Sequence, residues 1–79
     1  MTNITKFKAA FANALMINED QIVDSLTYQS IPEWDSVSHM VLITELEDVF
    51  NISIDTDDVI DMSSVIKAKE ILAKYKVEL

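Results

Sequence analysis

Asp35-Ser36-Val37-Ser38-His39-Met40-Val41-Leu42-Ile43-Thr44-Glu45-Leu46-Glu47-Asp48-Val49-Phe50 is the stretch that decides the fold. Met40, Ile43, Leu46 and Phe50 recur at helical spacing, flanked by Leu42 and Val49. The segment therefore reads as a helix with its buried stripe along that line. Asp35 opens it, because its carboxylate can accept from the free N–H groups of the first turn and its charge suits the positive helix end. Asn51 follows Phe50 and can take the helix-ending conformation that usually falls to glycine, and this chain has no Gly.

Upstream, Ile4, Phe7, Phe11, Ala14 and Leu15 form an apolar stripe. They predict a helix from about Asn3 to Leu15 with Asn3 as its N-cap. A polar connection from about Asn18 to Asp35 follows. It is longer than most helix–helix links, so it needs packed anchors or a function. Ile22, Leu26, Tyr28, Ile31 and Trp34 are the candidate anchors, and Pro32 disfavours helix at Ile31. Downstream, Ile52-Ser53-Ile54 reads as an extended link. Asp55-Thr56-Asp57-Asp58 opens a brief helix to about Asp61. The last helix begins near Ser63 or Ser64, with Val65, Ala68, Ile71, Leu72 and Tyr75 on its apolar face. Lys67, Lys69, Lys74 and Lys76 suit its exposed side and C-terminal end. The expected architecture is all-α, a small four-helix bundle of three main helices and one short one. It forms a single domain over residues 1–79.

Composition narrows the function. The net charge is −8, which opposes nucleic acid and anionic membrane surfaces alike. It favours basic protein partners met by electrostatic steering. Residues 1–61 carry twelve acidic and two basic side chains, whereas residues 62–79 carry two acidic and four basic. There is no Cys, so no disulfide and no thiolate metal site is expected. No apolar run is long enough to suggest a membrane span, and Met1 to Met16 reads as an amphipathic helix rather than a signal segment. No membrane insertion, a cytoplasmic location and a monomeric chain are expected. Asp55-Thr56-Asp57-Asp58 does not make a calcium loop: no Gly stands where the loop must turn, and Ile66 falls where its closing Glu belongs.

Ser36 carries the chemistry to be explained. As an enzyme nucleophile it lacks support, since that role needs an activating base and preorganised oxyanion donors. The only histidine is His39, one turn along the same helix. An enzyme is therefore not expected. The simplest reading of Ser36 is a helix-start residue. The alternative is a passive acceptor, an exposed hydroxyl to which a separate enzyme attaches a group.

Trp34-Asp35-Ser36-Val37, followed by Met40, Leu42-Ile43, Leu46-Glu47-Asp48 and Phe50, resembles the acyl carrier protein family. The likeness runs on through Ile52, Ile54 and Asp57-Asp58 to Ser63-Ser64-Val65. It covers nearly the whole chain, with the first helix its least specific part. The resemblance implies a four-helix bundle of acyl-carrier type. It implies a 4′-phosphopantetheine arm from coenzyme A, attached to Ser36 by a phosphopantetheinyl transferase with magnesium. The arm's thiol would hold acyl cargo as a thioester, which explains a carrier without Cys. Asp35 would take part in transferase recognition. Glu45, Glu47 and Asp48 would meet Arg or Lys on partner enzymes, although a merely solvated helix face also accounts for them.

Several positions depart from the fatty-acid-synthesis carriers. Ser38, Val41 and Ile60 stand where those carriers are usually acidic, and Gly is missing from Pro32-Glu33-Trp34. Val41 and Ile60, if exposed, make an apolar docking patch near the arm with Val37; a rotated helix would bury them instead. Trp34-Asp35-Ser36 with His39 looks like specialised bacterial carriers that serve dedicated pathways. Trp34 is expected as an anchor before the helix rather than a cargo contact. His39 lies on the Ser36 side and either meets the arm or a partner or remains solvated; solvation is the expectation. An aminoacyl or peptidyl carrier would share the same motif. In a different class, an unmodified acidic adaptor would bind basic partners through the same helix. Phe50, if fully buried, would cost about 3–5 kcal/mol on truncation to alanine.

Overall fold

The helices follow in the order the spacing predicts. The computed structural model describes residues 2–79, with Met1 outside the described residues. It contains α1 (Asn3–Leu15), α2 (Ser36–Phe50), α3 (Thr56–Asp61) and α4 (Val65–Lys74), with a 3-10 turn at Glu19–Gln21. The fold is a small all-α bundle. Among the described residues the only β pairing is one isolated antiparallel bridge, Thr27 to Ser64. No helix among them is long and apolar enough to cross a membrane.

The caps explain where the helices begin and end. Thr2, not Asn3, caps α1: its backbone is extended and its hydroxyl accepts from Thr5 N–H at 3.3 Å. Asn3 is already helical, and its amide donates to the Glu78 carbonyl at 2.9 Å. Asp35 caps α2 as expected. Its Oδ1 accepts from Val37 N–H at 3.1 Å and from Ser38 N–H at 2.9 Å. The Ser38 hydroxyl returns the bond, accepting from Asp35 N–H at 2.9 Å. Each satisfies donors the helix itself leaves free. Ser64 caps α4 through Lys67 N–H at 3.0 Å. Asn51 ends α2 with φ 53°, and Met16 ends α1 with φ 58°.

α1 lays Phe7, Ala10, Phe11, Ala14 and Leu15 against α2. The buried face of α2 is Leu42, Ile43 and Leu46. That differs from the predicted stripe. Met40 is 56 % exposed, and Phe50 is only half-buried against the core. The helix carries apolar residues on almost every side, so spacing alone leaves its rotation open. α1 and the connection before α2 choose Leu42 and Leu46, and a turn of about 100° per residue then carries Met40 outward. Phe50 is therefore not a fully buried anchor, and its truncation falls below the cost expected for one.

The long connection is held by its anchors. Ile22 and Trp34 are buried, and Leu26, Tyr28 and Ile31 pack partly against the core. Backbone bonds pin it to the start of α4: Tyr28 N–H to the Ser63 carbonyl at 2.8 Å, and Val65 N–H to the Leu26 carbonyl at 2.9 Å. Lys69 reaches back to Asp24 at 2.7 Å, so it is not a free surface lysine.

α3 is short and depends on side chains for its attachment. Asp58, almost fully buried, accepts from Lys74 and from the Tyr75 hydroxyl, the latter at 2.6 Å. The Tyr75 hydroxyl in turn accepts from Asp55 N–H at 2.9 Å. Tyr75 thus joins α3 to α4 by its polar tip as well as its ring. The Lys74 ammonium first, and the Tyr75 hydroxyl next, hold the Asp58 carboxyl below the usual carboxylate range. Asp58 in turn raises Lys74. A lowered carboxyl contributes its stability in full above the unfolded value of about 3.9 and loses it as pH falls through the folded value. Lys74 works the other way: its share is complete below about 10.4 and is lost as pH rises through its raised value. Asp58→Asn is expected to flatten the acid limb of stability against pH in urea titrations. An unchanged acid limb would mean the pair does not couple to folding. The Lys74 side chain is 63 % exposed, so solvent screens the pair and the effect is modest.

Candidate functional site

Ser36 is the first residue of α2 and is exposed. Asp35 and Ser38 close the first turn between themselves, so the Ser36 hydroxyl is not spent on capping. His39 N–H goes to the Asp35 carbonyl at 2.9 Å. The cap thus leaves the Ser36 N–H beside its own hydroxyl. The N–H donated by Ser38 is the main cause holding the Asp35 carboxyl below its ordinary value, against desolvation that raises it. Asp35 is therefore an anion beside Ser36 at neutral pH.

Ser36 stands at the rim of an open cleft of about 360 Å³ between α2, α3 and the long connection. Met40, Val59 and Ile60 form its apolar walls, with Met62 on the inner side. Tyr28, His39 and Ser63 are the other residues of its lining. The volume lies at the lower end of the roughly 300–1,000 Å³ typical of small-molecule sites. A larger groove of about 530 Å³ runs along the C-terminal end, lined by Lys69, Lys76, Val77 and Leu79 among others, and contains none of these residues.

His39 is half-buried, and both its ring nitrogens are bonded within the bundle rather than left to solvent. The Trp34 indole N–H donates to His39 Nδ1 at 3.0 Å, and His39 Nε2 lies 2.9 Å from the Val59 carbonyl. An indole only donates and a carbonyl only accepts. Nδ1 must then be bare and Nε2 must carry the proton, which fixes the neutral tautomer. The ring is also stacked on Trp34 with centroids 6.1 Å apart and meets Tyr28 edge-on at 5.2 Å. With both nitrogens engaged, His39 is not free to take a proton from Ser36. It acts as a strut from α2 to α3, and the cleft lies beside it. Trp34 is the anchor the sequence predicts: it has no exposed surface and packs edge-on against Phe11 at 5.4 Å.

The remaining candidate residues divide. Val37 is 73 % exposed, Val41 45 % and Ile60 74 %. Met40 and Ile60 line the cleft with Ser36, and Val37 follows the serine in the chain, making an apolar patch beside it; Val41, one turn beyond Val37, and Ile60 are exposed rather than buried. Met40 belongs to this patch although spacing placed it in the core. Asp48 is exposed on the same helix. Glu45 faces α1, beside Lys6 and Asn13. The Glu47 carboxylate accepts from Ile54 N–H at 2.8 Å and so holds the link between α2 and α3. Ser38 donates to the Glu33 carbonyl at 2.6 Å in addition to its capping bond. Ser36, Val37, Val41, Asp48 and Ile60 are presented outward, whereas Ser38, His39 and Glu47 are engaged within the fold. Among the described residues no group of three or more His, Cys, Asp or Glu is gathered to hold a metal ion.

Comparison with family models, curated proteins and solved structures finds no match for this chain.

Proposed function

We propose that this chain is a carrier whose 4′-phosphopantetheine arm is attached to Ser36, and that it holds acyl cargo for partner enzymes. The observation that carries the reading is an exposed serine hydroxyl, free of its own helix cap, at the rim of an apolar cleft. The residues present fit the group. A phosphate on Ser36 meets the positive end of a 15-residue helix and an N–H that the cap leaves available. The arm supplies a terminal thiol, which the chain itself lacks. Everything the chain contributes is placement. Asp35 and Ser38 fix the first turn, so Ser36 is presented in one orientation. Trp34 and His39 hold the cleft wall in place beside it.

Loading needs a separate phosphopantetheinyl transferase. The Ser36 Oγ forms a bond to the β-phosphorus of coenzyme A as the phosphoanhydride bond breaks. Adenosine bisphosphate leaves, and the hydroxyl proton passes to a base of the transferase. Val37, Met40, Val41 and Ile60, with Asp48 and Asp35 beside them, form the face offered to partners. Glu45, Glu47, Ser38 and His39 support that face from within the bundle. Partners matching it carry an apolar centre and basic side chains at the rim, so their exchange is fast and weakens with salt. A cytoplasmic monomer suits this role.

Incubation with coenzyme A, magnesium and a broad-specificity transferase is expected to add the mass of one phosphopantetheine. No gain, with a folded chain and an active transferase control, would sink the carrier reading. The same face would then belong to an unmodified adaptor for basic partners. An aminoacyl or peptidyl carrier would also gain the arm, and its cargo separates it from the leading reading.

A further inference from the structure

His39 accepts at one ring nitrogen and donates at the other, and this pairing depends on its charge state. Nδ1 accepts from the Trp34 indole N–H at 3.0 Å, and Nε2 donates to the Val59 carbonyl at 2.9 Å. A protonated imidazole carries N–H at both positions. Nδ1 then sets N–H against N–H, and a ring flip only exchanges one donor for the other. Trp34 has no exposed surface and packs against Phe11 and Tyr28, so the half-buried His39 is the ring that moves. The 6.1 Å between the His39 and Trp34 ring centres lies at the outer limit of about 6 Å for cation–π attraction. The titratable side chains on the elements packed against His39 are Tyr28 and Glu33 on the connection, Asp35 at the start of α2, and Asp57, Asp58 and Asp61 on α3. Asp35 serves the helix cap, and Asp58 is bonded to Lys74 and Tyr75. Among the described residues none of these carboxylates forms an ion pair with His39. α3 depends on the other end of this arrangement. It has six residues, and Asp55 gives its first turn no side-chain cap. Isolated helices that short are marginal in water at best. The Val59 carbonyl belongs to its last turn, where a helix leaves acceptors free, and the Ser63 N–H that could have reached it goes to the Asp61 carbonyl at 2.7 Å. His39 thus caps the end of α3 from α2.

We propose that His39 is a pH-operated latch on α3: the neutral ring closes it onto α2 by bridging Trp34 and Val59, and the imidazolium releases it. The closed form has no proton at Nδ1 and the released form has one, so acid shifts the population toward release and base restores closure. The chain's net charge of −8 favours a cation that has turned out to solvent. Release is local, because Asp58 still ties α3 to Lys74 and Tyr75, and that carboxylate stays charged through the histidine range. Ile60, 74 % exposed, follows Val59 directly, so release also shifts the apolar face beside Ser36. The latch stands whether or not Ser36 is loaded; only its effect on docking partners rests on the carrier reading.

Amide hydrogen exchange of the full, unmodified chain tests this by NMR between about pH 7.5 and about pH 5.5, a window in which histidine is the one side chain that ordinarily titrates. His39 is the only histidine. The amides to follow are Val59 and Met62, bonded to the Asp55 and Asp58 carbonyls. After correction for the intrinsic pH dependence of exchange, their opening equilibrium is expected to rise roughly fivefold toward acid, the worth of one net hydrogen bond. The Ala68 amide of α4, bonded to the Ser64 carbonyl, should not follow. The Trp34 indole N–H signal should move in step with the α3 amides. His39→Gln keeps an N–H donor for the Val59 carbonyl and does not titrate, so its α3 amides should be equally protected at both ends of the window. His39→Ala should leave them weakly protected throughout. Unchanged α3 protection in the parent, an equal rise at Ala68, or a pH response that persists in His39→Gln overturns the latch. The readout uses no transferase, so the latch and the carrier reading fail separately.

Discussion

Trp34→Ala is expected to lower the unfolding free energy by about 3–5 kcal/mol, the usual cost of removing a fully buried indole. A domain of this length has roughly 4–12 kcal/mol in total at about 0.05–0.15 kcal/mol per residue, so the variant sits near the edge of folding. Two losses combine in it. The ring fills the space between α1, the long connection and the start of α2, against Phe11 and Tyr28. Its N–H also satisfies His39 Nδ1, so truncation loosens the strut to α3 as well. Trp34→Phe separates the two, keeping an aromatic ring while losing the donor, and should cost clearly less than Trp34→Ala. Urea denaturation followed by helical circular dichroism measures both without relying on the chain's only Trp. Phe50→Ala, at a half-buried site, belongs below Trp34→Ala in the same series. A Trp34→Ala midpoint equal to the parent's would refute the role given to this residue.

The other large effect is chemical. Ser36→Ala is expected to abolish the phosphopantetheine mass gain completely while leaving stability within about 0.5 kcal/mol of the parent. The contrast follows from the cap. Asp35 and Ser38 satisfy the first turn without Ser36, so its hydroxyl contributes little to folding. Ser38→Ala should do the reverse, weakening the fold while the parent serine is still loaded. Intact mass and urea titration on the same two variants read both axes. A residual mass gain in Ser36→Ala would move the acceptor to another hydroxyl and remove the basis of the site.

Local signals made much of this readable in advance. Asp35, Asn51 and Ser64 announce helix ends because a cap is a contact between near neighbours in the chain. Trp34 reads as an anchor because an indole before a helix start has few other places to go. What escaped has its cause at a distance. His39 finds its acceptor twenty residues away, Asp58 its partners sixteen and seventeen away, and Glu47 its donor seven away across a bend. No pattern around these residues marks them. Met40 was misplaced for another reason: a helix apolar on most of its circumference is oriented by what packs on it, which periodicity does not contain. Acid residues clustered around α2 suggested one surface, yet the bundle sends Glu45 toward α1 and uses Glu47 as a brace.

The left-handed positions carry a consequence for the chain before it folds. Met16, Gln29, Asn51 and Lys76 all have positive φ, with values from 53° to 66°, in a sequence without glycine. Each non-glycine residue held there costs about 1–2 kcal/mol in the native state, less for Asn51, whose side chain tolerates the conformation. The return lies in the denatured ensemble. A backbone without glycine samples fewer conformations, so less entropy is surrendered on folding. Glycine placed at Met16 or Gln29 would relax the native turn and enlarge the unfolded ensemble together. This small bundle thus draws part of its stability from how little freedom its disordered chain has to lose.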